Sequence, residues 1–185
     1  MPASLYEHDL IQKCCDGDRI AYRELYDLFG GELMAIALRY MKTRQEAEDV
    51  LQDSFLKVFK NLASFDHRAS LKTWMTRIVI NTALNKLRKE HNKYDWDISA
   101  ADRVHADFLP LQEFHFKELV SLIQKLPTGC RAVFNLYAIE GYSHKEIAEM
   151  LEISQGTSKS QYHRAKGLLQ DIIASENIRT NRRAL

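Results

Sequence analysis

"YSHKEIAEMLEISQGTSKSQYHRAKGLL", Tyr142 to Leu169, decides the architecture of this chain. Ser143 with Glu146 three residues on has the form of a capping box, in which the hydroxyl and the carboxylate each satisfy a backbone N–H at a helix start. Ile147, Ala148 and Leu151 supply the apolar side of one short helix. Ile153 ends it, and Ser154 starts another. Two short helices across a tight turn make a helix-turn-helix. The second helix carries Lys159, Ser160, Gln161, His163, Arg164 and Lys166, which we expect at exposed positions. These donor-rich residue types meet phosphates and base edges in a DNA major groove.

Working outward, the same helical spacing of apolar residues fills the rest of the 185-residue chain, interrupted by only three prolines and seven glycines. The fold class is all-α: two small helical domains joined by a linker. "EFHFKELVSLIQKL", a break at Pro127-Thr128, "GCRAVFNLYAIE" and a turn at Gly141 complete the second domain. In the first, Ser4 with Glu7 and Thr43 with Glu46 are capping boxes, and Asp18 caps "RIAYRELYDLF". Gly30 and Gly31 are expected to end that helix before "ELMAIALRYM". The helix after Thr43 gathers Ala47, Val50, Leu51, Ser54, Phe55, Val58, Phe59 and Leu62 on one broad face, leaving Asp49, Gln52 and Asp53 on the other. Ser70 caps a long helix that runs to about Lys89, with Met75, Val79, Ala83 and Leu87 on its core side. Residues 91–112 mix acids, scattered aromatics and a proline without a period, as a linker does. The resulting boundaries are 1–90, linker 91–112, 113–175 and a basic tail 176–185.

The formal net charge of +1 hides segregation. Residues 67–89 hold six Lys/Arg and no acid; residues 153–185 hold six basic and two acidic groups; residues 1–66 hold eight basic and twelve acidic. Two anionic contacts and a separate basic partner would fit that map. On the basic helix, Trp74, Arg77, Asn81, Asn85 and Arg88 share one flank.

Other chemistries find no support in the sequence. It contains no glycine-rich phosphate loop and no nucleophile elbow, and "HKEIAE" at His144 lacks the second histidine of a zinc motif. We therefore expect no metal, no cofactor and no catalytic site. Cys14, Cys15 and Cys130 are odd in number, which argues against a disulfide framework and suggests buried thiols in a reducing compartment. "MPASLYEHDL" lacks a basic leader and an apolar core, and the apolar run "MAIAL" falls far short of the roughly 20 residues that span a bilayer. A cytoplasmic protein without membrane insertion is the expectation.

Taken together, "AEDVLQDSFLKVFKNL", "FDHRASLKTWMTRIVINTALNKLRK" and "LPTGCRAVFNLYAIEGYSHKEIAEMLEISQGTSKSQYHRAK" resemble, in order, three motifs of the bacterial RNA polymerase sigma factors of the extracytoplasmic-function (ECF, sigma-70-like) type. The resemblance covers nearly the whole chain. It implies that residues 1–90 are sigma region 2 and residues 113–175 are sigma region 4. It further implies a dissociable initiation subunit, not an enzyme, that binds the clamp and flap surfaces of core RNA polymerase and directs it to promoter DNA, with an anti-sigma factor as a further candidate partner. Asp49, Gln52 and Asp53 then dock on the polymerase. Phe65, Asp66, His67, Arg68, Lys72, Trp74, Arg77, Asn81, Asn85 and Arg88 meet the minus-ten element. The donors from Lys159 to Lys166 meet the upstream, minus-thirty-five element. Three positions depart from the common family wording: Ser158 for a valine, Gln161 for an arginine and Tyr162 for an aliphatic residue. The Gln161 change puts any transfer of a known sequence preference in doubt. The competing class is a stand-alone helix-turn-helix regulator that binds an operator as a dimer; it accounts only for the C-terminal motif.

Overall fold

The computed structural model describes residues 5–90 and 116–183, with side chains from 6 to 89 and from 118 to 175. The expected cap at Ser4 and the expected linker 91–112 lie outside the described residues. The helices are α1 (Leu5–Cys15), α2 (Arg19–Tyr40), α3 (Arg44–Asn61), α4 (Leu71–Glu90), α5 (Phe116–Gln124), α6 (Thr128–Phe134), α7 (His144–Leu151) and α8 (Gln155–Arg183). No strand occurs among the described residues. Two compact units result, residues 1–86 and 87–185.

The N-terminal unit is built on the pairing of α2 with α3. The Tyr22 ring lies 4.3 Å from Phe59 and the Tyr26 ring 4.8 Å from Phe55, so an aromatic ladder runs along the seam. Each such pair adds about 0.5–1.5 kcal/mol beyond its area burial. Asp18 caps α2 by accepting from the Ile20 N–H at 2.8 Å. At Thr43 the capping box is complete: its hydroxyl accepts from the Glu46 N–H at 3.2 Å, and the Glu46 carboxylate accepts from the Thr43 N–H at 2.9 Å. The apolar face expected on α3 is buried at Ala47, Val50, Leu51, Ser54, Phe55, Val58 and, just past the helix, Leu62.

One expectation fails here. Gly30 and Gly31 do not end a helix; α2 runs through both without interruption. Glycine costs about 1 kcal/mol in a helix interior relative to alanine, a penalty that packing can outweigh. A Cβ on Gly30 would come within 3.3 Å of the Tyr26 ring, so this glycine lets the ring fold back over its own helix.

In the C-terminal unit, Leu122, Ile123, Leu126, Cys130, Phe134, Ala165, Leu169 and Ile173 form the core. The buried Arg131 guanidinium donates to the carbonyl oxygens of Gln124 and Leu126 at 3.3 and 3.4 Å, tying down the break between α5 and α6. After α6 the chain widens into a π-helical turn over Asn135–Ile139, closed by the Glu140 N–H on the Asn135 carbonyl at 3.0 Å. Gly141, with φ of +79°, then turns the chain into α7. The Ser143–Glu146 capping box is formed as expected. Glu152 adopts a left-handed conformation at the end of α7, and Ser154 starts α8 by accepting from the Thr157 N–H at 2.9 Å.

Cys14 and Cys130 are buried, and burial pushes both thiols up to about 11. Cys15 is exposed, against expectation, because it falls on the solvent side of α1 next to a residue on the core side.

Candidate nucleic-acid interface

Two surfaces arise in the N-terminal unit. On α3, Asp49, Gln52 and Asp53 are all exposed and fall at i, i+3 and i+4 on one patch. Beside them Leu56, one turn on, is 67% exposed, an apolar side chain that helix packing leaves uncovered. Asp49 is not free: its carboxylate receives Lys86 Nζ of α4 at 3.0 Å. Lys57 of α3 likewise donates to the Thr82 hydroxyl of α4 at 2.9 Å.

On α4 the core side is as expected, with Met75, Val79, Ala83 and Leu87 buried. Along the opposite flank Arg77, Asn81 and Asn85 are exposed, while Trp74 and Arg88 are half-buried. Ser70 caps α4, accepting from the Thr73 N–H at 3.1 Å. Lys72 is exposed but bridges to Glu32 of α2 at 2.6 Å. No ion pair engages Arg77 among the described residues.

The loop before α4 is organised around Phe65. Its ring is 7% exposed and lies 5.4 Å from Trp74 and 4.5 Å from His67. Phe65 thereby departs from the sequence expectation: a ring turned into the core cannot stack on a base, and this one packs beside Trp74. Asp66, His67 and Arg68 stay exposed at the tip. Asp66 accepts from the Arg68 N–H at 3.2 Å and pairs with its guanidinium at 3.1 Å, while His67 takes a positive φ of 57°. A non-glycine residue there is uncommon.

In α8, Lys159, Ser160 and His163 are exposed, and Arg164 and Lys166 are half-buried. Lys166 Nζ lies 5.5 Å from the Tyr162 ring centroid. Gln161 corrects the sequence expectation: it is 3% exposed, and its side-chain carbonyl accepts from the Cys130 thiol at 2.9 Å. The physical reason is the helical period. Ser158, Gln161, Ala165 and Leu169 form the buried stripe of α8, and a donor-bearing side chain on that stripe meets the core rather than DNA. Counting from Ala165 and Leu169 would have placed Gln161 correctly.

The other two departures are also absorbed by packing. Ser158 is fully buried, with its hydroxyl 2.9 Å from His144 Nδ1. The His144 ring stacks on Tyr137 at 4.3 Å, and Tyr162 packs 4.5 Å from Tyr137. Burial, with the Lys159 charge as a lesser cause, lowers the His144 pKa. Meanwhile Gln155 and Gly156 are exposed on the same stripe as Lys159 and Ser160, and sequence reasoning passed over both.

Among the described residues, no group of His, Cys, Asp and Glu side chains is placed to hold a metal ion, and no helix is long and apolar enough to cross a membrane. Two compact helical units, each with a cationic or donor-bearing exposed face, match the surface chemistry of a DNA-associated helical protein. Family comparison specifies the class: residues 25–93 match the sigma-70 region 2 model and residues 116–169 the sigma-70 region 4 model. The ECF RNA polymerase sigma factor SigW of Bacillus subtilis is 31% identical over 86% of this chain and 92% of its own length. The ECF RNA polymerase sigma-E factor of Haemophilus influenzae is 28% identical over 94% and 98%. Among solved structures, the sigma factor RpoE of Bartonella quintana, in complex with the anti-sigma factor NepR, is 25% identical, covers 83% of this chain and 96% of its own, and has a TM-score of 0.50. The chain belongs to the ECF RNA polymerase sigma factors.

Proposed function

We propose that this ECF sigma factor acts as a dissociable, non-catalytic and cytoplasmic subunit that docks on core RNA polymerase, brings it to specific promoters and assists strand opening. Supporting this above all is the division of exposed chemistry within the N-terminal unit: carboxylates and Leu56 on α3, against Arg77, Asn81 and Asn85 on α4. The α3 patch suits a basic polymerase surface. The α4 flank, with Trp74 half-exposed and Asp66, His67 and Arg68 at the loop tip, suits separating strands of the minus-ten element, because base–aromatic stacking contributes about 1–3 kcal/mol per base. Lys159, Ser160, His163, Arg164 and Lys166 suit the upstream duplex, where phosphate contacts fix register and base contacts specify sequence. We assign region 2 to residues 1–90 and region 4 to residues 113–175. The α8 backbone continues as helix through the expected basic tail to Arg183. An anti-sigma factor is a partner class extended to this chain from its Bartonella relative.

The test mixes the full chain with core polymerase and a promoter library and sequences the transcripts. A defined promoter subset, transcribed only when the chain is present, is the expected result. Tight binding of the isolated chain to an operator as a dimer, without core-dependent transcription, would establish the regulator class instead.

A further inference from the structure

A series of rings joins α1 to α4 through the loop between α3 and α4. His8 on α1 lies 5.6 Å from His67, His67 lies 4.5 Å from Phe65, and Phe65 lies 5.4 Å from Trp74 on α4. These separations fall in the range of favourable aromatic pairs. The series begins where α1 packs on the 3-10 turn Leu62–Ser64 that leads into the loop, and Leu10, Ile11 and Cys14 supply the buried side of α1. His8 stands apart from that side: it is exposed, as is His67, so core packing does not require the pair. His67 also holds the left-handed conformation, with φ of 57°, which is sterically unfavourable for a residue with a Cβ. Glycine would adopt that conformation without strain, but it would break the series. Among the described residues, no hydrogen bond or ion pair ties Asp66, His67 or Arg68 to another element; Asp66 and Arg68 bond to each other. The ring contacts of His67 are thus the attachment of the loop tip, to α1 on one side and to the Phe65–Trp74 pair on the other.

We propose that His8 is a positioning residue for promoter opening: through the His67 ring it couples α1 to the loop tip and to Trp74, the groups assigned to separating strands. The inference rests on the proposed promoter-opening function and deepens it, because it gives α1 a part in that step. Ordering a loop at the moment of binding costs conformational freedom, and a loop ordered beforehand avoids that cost. A tip fixed against α1 before DNA arrives therefore meets the strands as they part without first having to be ordered. His8 touches no strand in this scheme; its effect passes through His67.

The experiment compares holoenzymes carrying full-length wild type, His8→Ala, His8→Phe, His67→Gly, the His8→Ala/His67→Gly double variant or Gln12→Ala. Gln12 is an exposed α1 residue whose side chain bonds Asp16, and it serves as the control. Permanganate reactivity follows strand opening on duplex and premelted promoters, titration measures core binding, and melts of the free chain measure stability. His8→Ala should slow opening of the duplex by about two- to tenfold, the scale of one aromatic pair, with core affinity and melting temperature close to wild type. A premelted promoter should restore its rate, and His8→Phe, which keeps a ring, should open duplex as wild type does. His67→Gly keeps the left-handed backbone without the ring and should slow opening at least as much. Adding His8→Ala to His67→Gly should change nothing further, and Gln12→Ala should match wild type. Wild-type opening by His8→Ala overturns the inference. So does a His8→Ala effect of undiminished size in the His67→Gly background, which would mean that His8 acts independently of the ring series. A wild-type chain that never opens a promoter with core polymerase removes the proposed function along with it, an outcome distinct from a competent wild type indifferent to His8→Ala.

Discussion

Charge reversal on α3 tests the docking patch, and the Lys86 ion pair makes its two acids unequal. Asp49 and Asp53 are both exposed, but only Asp49 is bridged, at 3.0 Å to Lys86 Nζ, with its own side chain 57% exposed. Such a pair is screened by water and contributes roughly 0–1 kcal/mol. Replacing Asp49 with Lys loses that contribution and sets two ammonium groups near each other, which at about 4 Å in water costs about 1 kcal/mol more. The total approaches about 2 kcal/mol as an upper bound, and about 1 kcal/mol moves the melting temperature of a 60–100-residue domain by roughly 4–8 °C. Asp53→Lys has no such partner to lose and should leave stability within about 0.5 kcal/mol of wild type, as for ordinary surface substitutions. Both should sharply reduce binding to core polymerase. Titration of labelled core with each variant, alongside thermal melts, separates the two effects: Asp53→Lys is the decisive one, being nearly silent in the melt. Undiminished core affinity in the Asp49→Lys/Asp53→Lys double variant would remove α3 from the interface.

Four further outcomes are expected. Gln161→Ala should destabilise the C-terminal unit by about 1–3 kcal/mol, because a buried hydrogen bond and its packing are lost, while promoter preference in a holoenzyme selection stays the same. Arg77→Ala should leave closed-complex formation intact and slow strand opening, with a premelted template restoring the rate; normal permanganate reactivity in that variant would refute the assignment of the α4 flank. Lys159→Ala should weaken upstream binding evenly across sequences and lower the salt slope by about one unit, as expected for a phosphate contact. The depressed His144 pKa sets a pH dependence. The unfolded imidazole takes up its proton first as pH falls below 6.5, the folded one only lower, so the stability held above 6.5 is lost as pH descends through the folded pKa. His144→Asn should flatten that window in pH-dependent melts, leaving the separate loss below 4.5 that the lowered pKa of Glu146 in its capping box produces.

Which parts of this were legible in sequence follows from the range of the forces involved. Caps are local, and those at Asp18, Thr43, Ser70, Ser143 and Ser154 stand where side-chain chemistry and two- or three-residue spacing put them. The α3 and α4 core faces follow from period alone. Gly30 was misleading because its reason is a ring contact four residues away on the same helix, invisible to propensity. Phe65, expected at the minus-ten element, misleads for a similar cause: loop residues lack a period, so nothing in the string shows that its ring turns toward Trp74 rather than solvent. Cys15 shows the cost of reading residue type in place of position.

The region-4 departures illustrate why residue chemistry without register misassigns a DNA contact. Ser158, Gln161 and Tyr162 are three polar or aromatic residues that family wording makes suspicious together, and each finds a partner within its own unit: His144 for Ser158, Cys130 for Gln161, Tyr137 for Tyr162. Buried polar groups are tolerated only when hydrogen-bonded, so a serine and a glutamine on the inner stripe of α8 require a histidine and a thiol opposite them. The exchange is therefore a coordinated repacking beneath the helix rather than a change on its reading face. It follows that restoring the common residue singly, as in Ser158→Val, should destabilise the unit by stranding His144 Nδ1, whereas pairing it with His144→Phe should recover part of the loss. A double-mutant cycle in thermal melts measures that coupling, which is expected at about 0.5–3 kcal/mol for residues in direct contact. Additive losses from the two substitutions would mean that the hydroxyl and the imidazole do not depend on each other, and that the polar stripe of α8 needs another explanation.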